Sequence, residues 1–180
     1  TGIWWSERDG RGWTEPVRAQ LSDDLALDGP MCEREGALWF ASFRAGGYGN
    51  GDIYRATYDG SEWHWENAGG RLNAELDIGE CYLTAHGDTI VYARDADYGI
   101  YGQYDLWESY GVNGSWTEPM NLGPTVNTVN YEGWPYVSPD GSELWFTSDL
   151  SELGHPGPSI YRTVRDERGW SEPEEIVSSY

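Results

Sequence analysis

Aromatic, arginine and carboxylate side chains gather in the long loops of the sequence. Segments 44–52 and 94–105 each begin with an arginine and carry tyrosines. Aromatic rings stack on sugar faces, and arginine or carboxylate groups bond hydroxyls and acids in planar pairs. We therefore predict a ligand-binding site, with no catalytic residue, formed by Arg44, Tyr48, Arg94, Tyr98, Tyr101, Glu132 and Trp134.

The histidines do not form a catalytic or zinc centre in this interpretation. His64 falls on a predicted strand, His86 in a tight turn and His155 in a long loop. Residues in such different places do not readily converge on one zinc ion. The sequence also lacks a nucleophile elbow, a phosphate-binding loop and the helical zinc-protease motif.

The acidic residues leave two chemical alternatives open. Glu80, Asp97 and Glu132 could pair as carboxylates for glycoside hydrolysis, although 31 acidic residues make such a grouping common by chance. Residues 95–97 read Asp-Ala-Asp and could hold calcium, but the spacing lacks the EF-hand pattern. We predict no metal and no cofactor, with calcium as the alternative.

One short phrase returns four times along the chain, beginning at Trp13, Trp63, Trp116 and Trp170. In three of the four copies it reads Trp, then Thr or Ser, then Glu-Pro. Successive tryptophans are 50, 53 and 54 residues apart, which is typical of a tandem array of one supersecondary unit.

Each repeat consists of strands rather than helices. In the third repeat, residues 135–137, 144–146 and 160–161 are short apolar runs rich in aromatic or β-branched residues, and the phrase at Trp170 follows them. We name the four strands of one unit A to D. Dipeptides such as Asp140-Gly141 supply the positive φ that tight hairpins need. No sustained helical stripe is present, so the predicted class is all-β.

Four-stranded antiparallel units of this length, repeated in tandem, are typical of β-propeller blades. A two-sheet sandwich is the alternative, but a sandwich has no reason to repeat its sequence. Residues 127–141 read Asn-Thr-Val-Asn-Tyr-Glu-Gly-Trp-Pro-Tyr-Val-Ser-Pro-Asp-Gly, and 144–148 read Leu-Trp-Phe-Thr-Ser. This repeat resembles the PD40 (WD40-like, TolB-type) β-propeller repeat, and residues 46–54 of the first repeat fit it too. The second repeat departs from it, with His86 for the turn aspartate and Cys81 for the proline.

The repeats divide the chain unevenly. We predict one partial propeller over residues 1–180, in which 1–20 form a half blade and 21–73, 73–127 and 127–180 form full blades. That makes about three and a half blades, whereas propellers usually close with about four to eight. The chain could be a piece of a longer propeller, two copies could complete a seven-bladed ring, or the half blade could be a cap. We expect a homo-oligomer or association with missing blades.

Composition limits the partners. The formal net charge is −20, lysine is absent, and all 11 basic residues are arginine. Such a surface repels nucleic acid and anionic membranes, so we predict neither as a partner. Cys32 and Cys81 both fall on strand A of neighbouring units; buried free thiols are favoured over a disulfide, which the sequence leaves open.

The resemblance implies the fold more than the activity, because PD40-like repeats serve scaffolds, peptidase gating domains and polysaccharide-active propellers. We expect non-catalytic recognition of a protein or a cell-wall polysaccharide on the long-loop face. The alternative is part of a propeller-type polysaccharide- or peptide-processing enzyme, a hydrolase or lyase. PD40-like proteins are often exported, so the resemblance implies a periplasmic or secreted location.

Overall fold

The computed structural model describes residues 2–73, 78–84, 87–95, 101–149 and 157–177. Within these ranges the protein contains strands and no helix, which confirms the predicted all-β class. We find in them no helical segment with the length and hydropathy that crossing a bilayer requires.

The described residues form sixteen strands. They are β1 Trp4–Trp5, β2 Val17–Arg18, β3 Asp28–Arg34, β4 Ala37–Ser42, β5 Asp52–Tyr58, β6 Trp63–Asn67, β7 Ile78–Leu83, β8 Thr89–Asp95, β9 Tyr104–Val112, β10 Ser115–Trp116, β11 Met120–Asn121, β12 Glu132–Val137, β13 Glu143–Ser148, β14 Ser159–Asp166, β15 Gly169–Trp170 and β16 Glu174–Val177.

The strands make four antiparallel sheets that follow one another along the chain. β1 and β2 form a two-stranded sheet, and β3, β4, β5 and β6 form the next in that order. In the third sheet β7, β8 and β9 lie side by side, and β10 and β11 both pair with β9. The fourth repeats this order with β12, β13 and β14, and β15 and β16 both pair with β14.

Turn residues explain the hairpins. Glu35 and Gly36 have φ of 53° and 72°, and Asn113 and Gly114 have φ of 51° and 77°. Two successive residues with positive φ form the type I′ turn whose twist matches two antiparallel strands. These dipeptides therefore connect β3 to β4 and β9 to β10 with no longer loop.

The repeated tryptophan phrase places a hydroxyl against the third strand of a unit. Thr117 Oγ1 accepts the Tyr110 N–H at 3.0 Å, and Ser109 Oγ donates to the Thr117 carbonyl at 2.8 Å. Ser171 makes the same two contacts in the fourth sheet, where its Oγ accepts the Val164 N–H at 3.1 Å. The hydroxyl residue after Trp116 and after Trp170 thus accepts a backbone N–H of β9 or β14 that strand pairing does not satisfy.

Apolar cores fill the spaces between successive sheets. The first, between the two-stranded sheet and β3–β6, contains Ile3, Ala19, Leu21, Phe40, Tyr54 and Ala56. The second contains Trp39, Ile53, Leu72, Cys81, Leu83, Ile90 and Tyr92. The third contains Val91, Ala93, Leu106, Val126, Val137, Leu144, Phe146 and Tyr161. Neighbours along a strand, such as Trp39 and Phe40, enter different cores because side chains alternate between faces. The two middle sheets are therefore buried on both faces.

The first strands of the three larger sheets lie next to one another. β12 packs against β7, and β7 packs against β3. We call β3, β7 and β12 the inner strands. Their contacts put one edge of each large sheet on a common side of the molecule.

Candidate functional site

Each inner strand carries an irregularity in its pairing at the same level. The register shifts between Pro30 and Cys32 in β3, between Ile78 and Cys81 in β7, and between Gly133 and Tyr136 in β12. A bulge turns side chains away from the regular pleat, and bulges are over-represented next to active sites. The three bulges at the same level therefore make the inner strands a candidate binding surface.

A pocket of about 440 Å³ lies at these bulges. We call it the inner-strand pocket; its lining includes Met31, Phe43, Glu80, Tyr82, Trp134 and Pro135. Trp134 is 64% exposed and Phe43 is 51% exposed. A concave, mostly apolar surface with few polar groups and a volume of about 300–1,000 Å³ is the usual form of a ligand site.

The backbone presents Trp134 in an unusual conformation. Its φ is 50°, in a region that L-residues other than Asn and Asp rarely adopt. Gly133 precedes it, and a Cβ there would lie 2.1 Å from the Tyr131 hydroxyl oxygen. The sequence around Trp134 thus needs a glycine for the close approach of Tyr131. Backbone strain of this kind concentrates at functional sites.

Tyr131 connects the third and fourth sheets beside the pocket. Its hydroxyl donates to Glu80 Oε2 at 2.8 Å, and its ring lies 5.7 Å from that of Tyr104. Burial, together with the Glu80 carboxylate, raises the pKa of Tyr131 well above its ordinary value. The phenol therefore stays a neutral donor that holds Glu80 at the pocket edge.

Among the predicted residues, Arg44 is committed to internal contacts. Its guanidinium donates to Asp28 Oδ1 and to the Leu21 carbonyl, both at 3.0 Å, and to Ser42 Oγ at 2.8 Å. The guanidinium also lies 5.0 Å from the ring centroids of Phe40 and Tyr54. Arg44 thus ties the entrance of β3 to the chain segment before it.

Burial alone would raise the pKa of Asp28. Hydrogen bonds from Ser42, the Asp23 N–H and Arg44 outweigh this effect, so the pKa of Asp28 lies below its ordinary value. The carboxylate is fully buried and its Arg44 partner is 9% exposed. The pair is a buried ion pair inside the fold, not an open anion-binding group.

Glu132 occupies the corresponding position of the fourth sheet, because it pairs with Ser148 as Asp28 pairs with Ser42. The residue is fully buried, and its carboxylate accepts from the Thr128 N–H at 2.9 Å, the Thr128 hydroxyl at 2.7 Å and the Ser148 hydroxyl at 2.9 Å. Burial raises its pKa, and the nearby Asp105 carboxylate adds to the rise. Its oxygens are thus engaged within the protein.

Arg94 lies in β8, whereas Tyr48 and Tyr101 lie in the long loops that follow β4 and β8. Arg94 lies over the Trp107 ring at 5.1 Å. The Tyr48 ring covers Gly70, where a Cβ would lie 2.6 Å from the ring. Tyr101 is 36% exposed, and Tyr98 lies outside the described residues. Among the predicted residues that the structure describes, only Trp134 lines the inner-strand pocket.

Two asparagine pairs that the sequence analysis did not single out form the same network in two sheets. Asn127 Nδ2 donates to the Leu106 carbonyl and to Asn121 Oδ1, both at 2.9 Å, and its Oδ1 accepts the Leu106 N–H at 2.8 Å. Asn121 Nδ2 donates to Asp105 Oδ2 at 2.8 Å. Asn73, Asn67 and Asp52 repeat this arrangement around Ile53. The signal in the sequence is Asn-x-Gly-x-x-x-Asn, present at 67–73 and 121–127.

Other titratable clusters have structural explanations. In the described residues, Asp59, Glu62 and His64 are the one exposed group with the proximity that a metal requires. Asp59 Oδ1 already accepts the N–H groups of Ser61 and Glu62, and Asp59 Oδ2 bonds His64 Nε2 at 2.8 Å, so the group closes a turn. Of the segment predicted as a calcium alternative, residues 96 and 97 lie outside the described ranges.

Both cysteines are free thiols. Cys81 is buried, and burial raises its pKa well above the ordinary value. Its Sγ lies 3.6 Å from Met31 Sδ at the back of the inner-strand pocket. The thiol therefore remains protonated and acts as an apolar packing group.

The strained backbone at Trp134 gives a measurable prediction. We expect Trp134→Gly to be more stable than Trp134→Ala by about 1 kcal/mol, because glycine adopts positive φ without the Cβ penalty. Urea unfolding of the two variants measures the difference directly, since both have lost the same exposed ring. Equal stability, or a more stable alanine variant, would show that the backbone at this position is not strained.

No protein-family model matches the chain, and comparison with curated proteins finds no match.

Proposed function

We propose that the four sheets are consecutive blades of a partial β-propeller of the PD40-like type, with three full blades and one half blade. Three features support this proposal: the sheets follow chain order, each is sealed to the next by an apolar core, and the inner strands of the larger sheets are neighbours. In such a ring the inner strands line the central axis. The inner-strand pocket then opens toward that axis.

We further propose that this propeller is a non-catalytic recognition scaffold for a polysaccharide or an extended protein segment. The observation that carries the proposal is Trp134, an exposed indole on a strained backbone beside Phe43 and Glu80. An indole supplies a flat apolar platform for a sugar face or an aliphatic side chain. Glu80 supplies an acceptor for a hydroxyl or a cationic group. The net charge of −20 favours neutral or basic ligands over anionic ones.

Binding assays with and without Trp134 test this proposal. Immobilised hexamers of β-1,4-linked glucose, xylose and N-acetylglucosamine serve as glycan probes, and a phage-displayed random peptide library serves as the protein probe. We expect one probe class to yield binders whose affinity falls at least about 30-fold in Trp134→Ala, equivalent to about 2 kcal/mol. No chemical turnover of the bound probe is expected.

The matched control is Trp13→Ala, because Trp13 is 70% exposed and does not line the inner-strand pocket. This variant should bind like the parent chain. Binding that survives Trp134→Ala, or the absence of binders in both probe classes, would contradict the proposed site.

The enzymatic alternative places the chain in a polysaccharide- or peptide-processing propeller. Glu132 and Asp105 are two neighbouring carboxyls whose pKa values are raised by burial, which is a property of general acids. Both are buried to 0% exposure, so a substrate would reach them only after a rearrangement. Hydrolysis or elimination products from the same probes, lost in Glu132→Gln, would establish this alternative. A periplasmic or secreted location suits both roles and remains part of the proposal.

A further inference from the structure

The two-stranded sheet corresponds to the outer half of the unit that the other three sheets repeat. Trp4 pairs with Arg18 across β1 and β2, as Tyr54 pairs with Asn67 across β5 and β6. β1 therefore corresponds to β5, β9 and β14. In the larger sheets these strands have β4, β8 and β13 on their other edge, with an inner strand beyond.

One edge of β1 has no strand beside it in the part of the chain that the structure describes. The Ile3 carbonyl accepts the Ala19 N–H, so Ile3 bonds toward β2. Residues at alternate positions of a strand bond to opposite edges. The N–H groups of Trp4 and Ser6 therefore point toward the free edge.

A groove of about 620 Å³ lies beside this edge. Its walls include Trp4, Trp5, Val17, Pro30, Leu38 and Trp63. Leu38 packs at the margin of the first core and is only half-buried. Ile90 and Leu144 lie at the same register position of β8 and β13, and both are fully buried. The groove is thus a continuation of the first core that lacks its cover.

We propose that this groove is the docking site of an inner β-hairpin of the same repeat, which pairs with the free edge of β1 and completes the sheet to four strands. The repeat indicates the occupant. The corresponding surface of the third sheet is covered by the hairpin β3–β4, and that of the fourth sheet by the hairpin β7–β8. In each larger sheet that hairpin immediately precedes the strand corresponding to β1. The occupant is therefore an inner hairpin whose second strand lies beside β1, as β4 lies beside β5.

A second copy of the chain is a poorer occupant. Within the described ranges the half sheet has no inner strands, and the inner strands of a second copy are already paired within their own sheets. Two half sheets would bring together four outer strands and no inner ones. Two copies would therefore add up to seven blades in number, but they would not supply the missing inner strands.

The groove also specifies the chemistry of the hairpin. Glu33 pairs with Leu38. Leu83 and Val137 occupy the position of Glu33 in the next two units, and these two side chains are buried. A carboxylate buried without a partner is costly. The hairpin should therefore present a basic or hydrogen-bonding side chain to Glu33 and apolar side chains to Leu38.

The test extends the 180-residue chain with a copy of residues 24–50 placed before Thr1, which supplies the hairpin β3–β4 and its following loop. Amide hydrogen exchange of Trp4 and Ser6 is the readout, together with the thermal midpoint. We expect exchange of both amides to slow at least about tenfold and the midpoint to rise by several degrees. The matched control carries Trp39→Asp and Ala41→Asp in the added copy only, and it should leave both readouts unchanged.

Unchanged exchange at Trp4 and Ser6 in the extended chain would overturn the proposal. It would also fail if the unextended chain formed a dimer in solution with these two amides already protected, because a second copy would then be the occupant. Neither result depends on ligand binding at Trp134, so the failure of one proposal is distinguishable from failure of the other.

Discussion

Replacement of Arg44 by methionine should destabilise the protein by about 3–5 kcal/mol at neutral pH. The reason is that Asp28 is fully buried and would keep its charge without its arginine partner. Methionine retains an apolar stem against Phe40 and Tyr54, so lost charge pairing dominates over lost packing. Urea unfolding of the variant and the parent chain gives the difference in unfolding free energy.

The pH dependence identifies the cause. The pKa of Asp28 is lowered in the folded state, so its contribution to stability is present above the unfolded pKa, about 3.9, and is lost as the pH falls through the folded pKa. The difference between parent and Arg44→Met should therefore persist at pH 5 and narrow below about pH 4. The control is Arg55→Met: Arg55 pairs with Glu66 on the surface at 3.4 Å, and its loss should cost about 1 kcal/mol or less. Equal effects of the two substitutions would contradict the assignment of Arg44.

Asn127→Ala should cost about 2–4 kcal/mol. Its side chain satisfies both the N–H and the carbonyl of Leu106, which is fully buried, and alanine would leave these two backbone groups without partners. Each unsatisfied buried group costs about 1–3 kcal/mol, and local relaxation recovers part of the sum. Chemical unfolding at pH 7 measures the loss.

Asn50→Ala is the matched control for this prediction, because Asn50 is exposed in a loop. It should change stability by no more than about 0.5 kcal/mol. Asn73 makes the corresponding contacts with Ile53, so Asn73→Ala should resemble Asn127→Ala. A tolerated Asn127→Ala would show that water or a backbone shift replaces these hydrogen bonds.

The strand content could be predicted from the sequence because the repeat superimposes several independent signals. The tryptophan phrase, the apolar runs and dipeptides such as Asn113-Gly114 all point to antiparallel hairpins. The hydroxyl after Trp116 and after Trp170 explains why the phrase repeats, since it caps the third strand of its unit. Such signals are local and need no knowledge of distant contacts.

The roles of the polar residues could not be predicted in the same way. Arg44 stands at the end of a strand next to a long loop, where binding residues are common. Its partner Asp28 lies on another strand, and only the folded sheet shows that the two pair. The same holds for Glu132, because its hydrogen-bond partner Ser148 lies on another strand. Residue type identifies what a side chain can bond, while three-dimensional packing decides which partner it meets.

The sequence predicts only part of the inner-strand pocket. The sequence predicts Trp134 as a site residue because it belongs, with Glu80 and Tyr131, to the side of the connections between one unit and the next. Phe43 was not predicted, since a phenylalanine directly after strand β4 looks like the continuation of an apolar run. The bulges that turn the inner strands toward a common pocket have no signature in one sequence that could have located them.

The most direct test of the proposed site is NMR of the tryptophan indole N–H groups while the strongest oligosaccharide or peptide binder is added. We expect the Trp134 signal, assigned by its absence in Trp134→Ala, to shift most and to saturate with the ligand, while the Trp13 signal stays in place. A saturating ligand that shifts other indoles and leaves Trp134 unchanged would show that recognition takes place elsewhere on the protein.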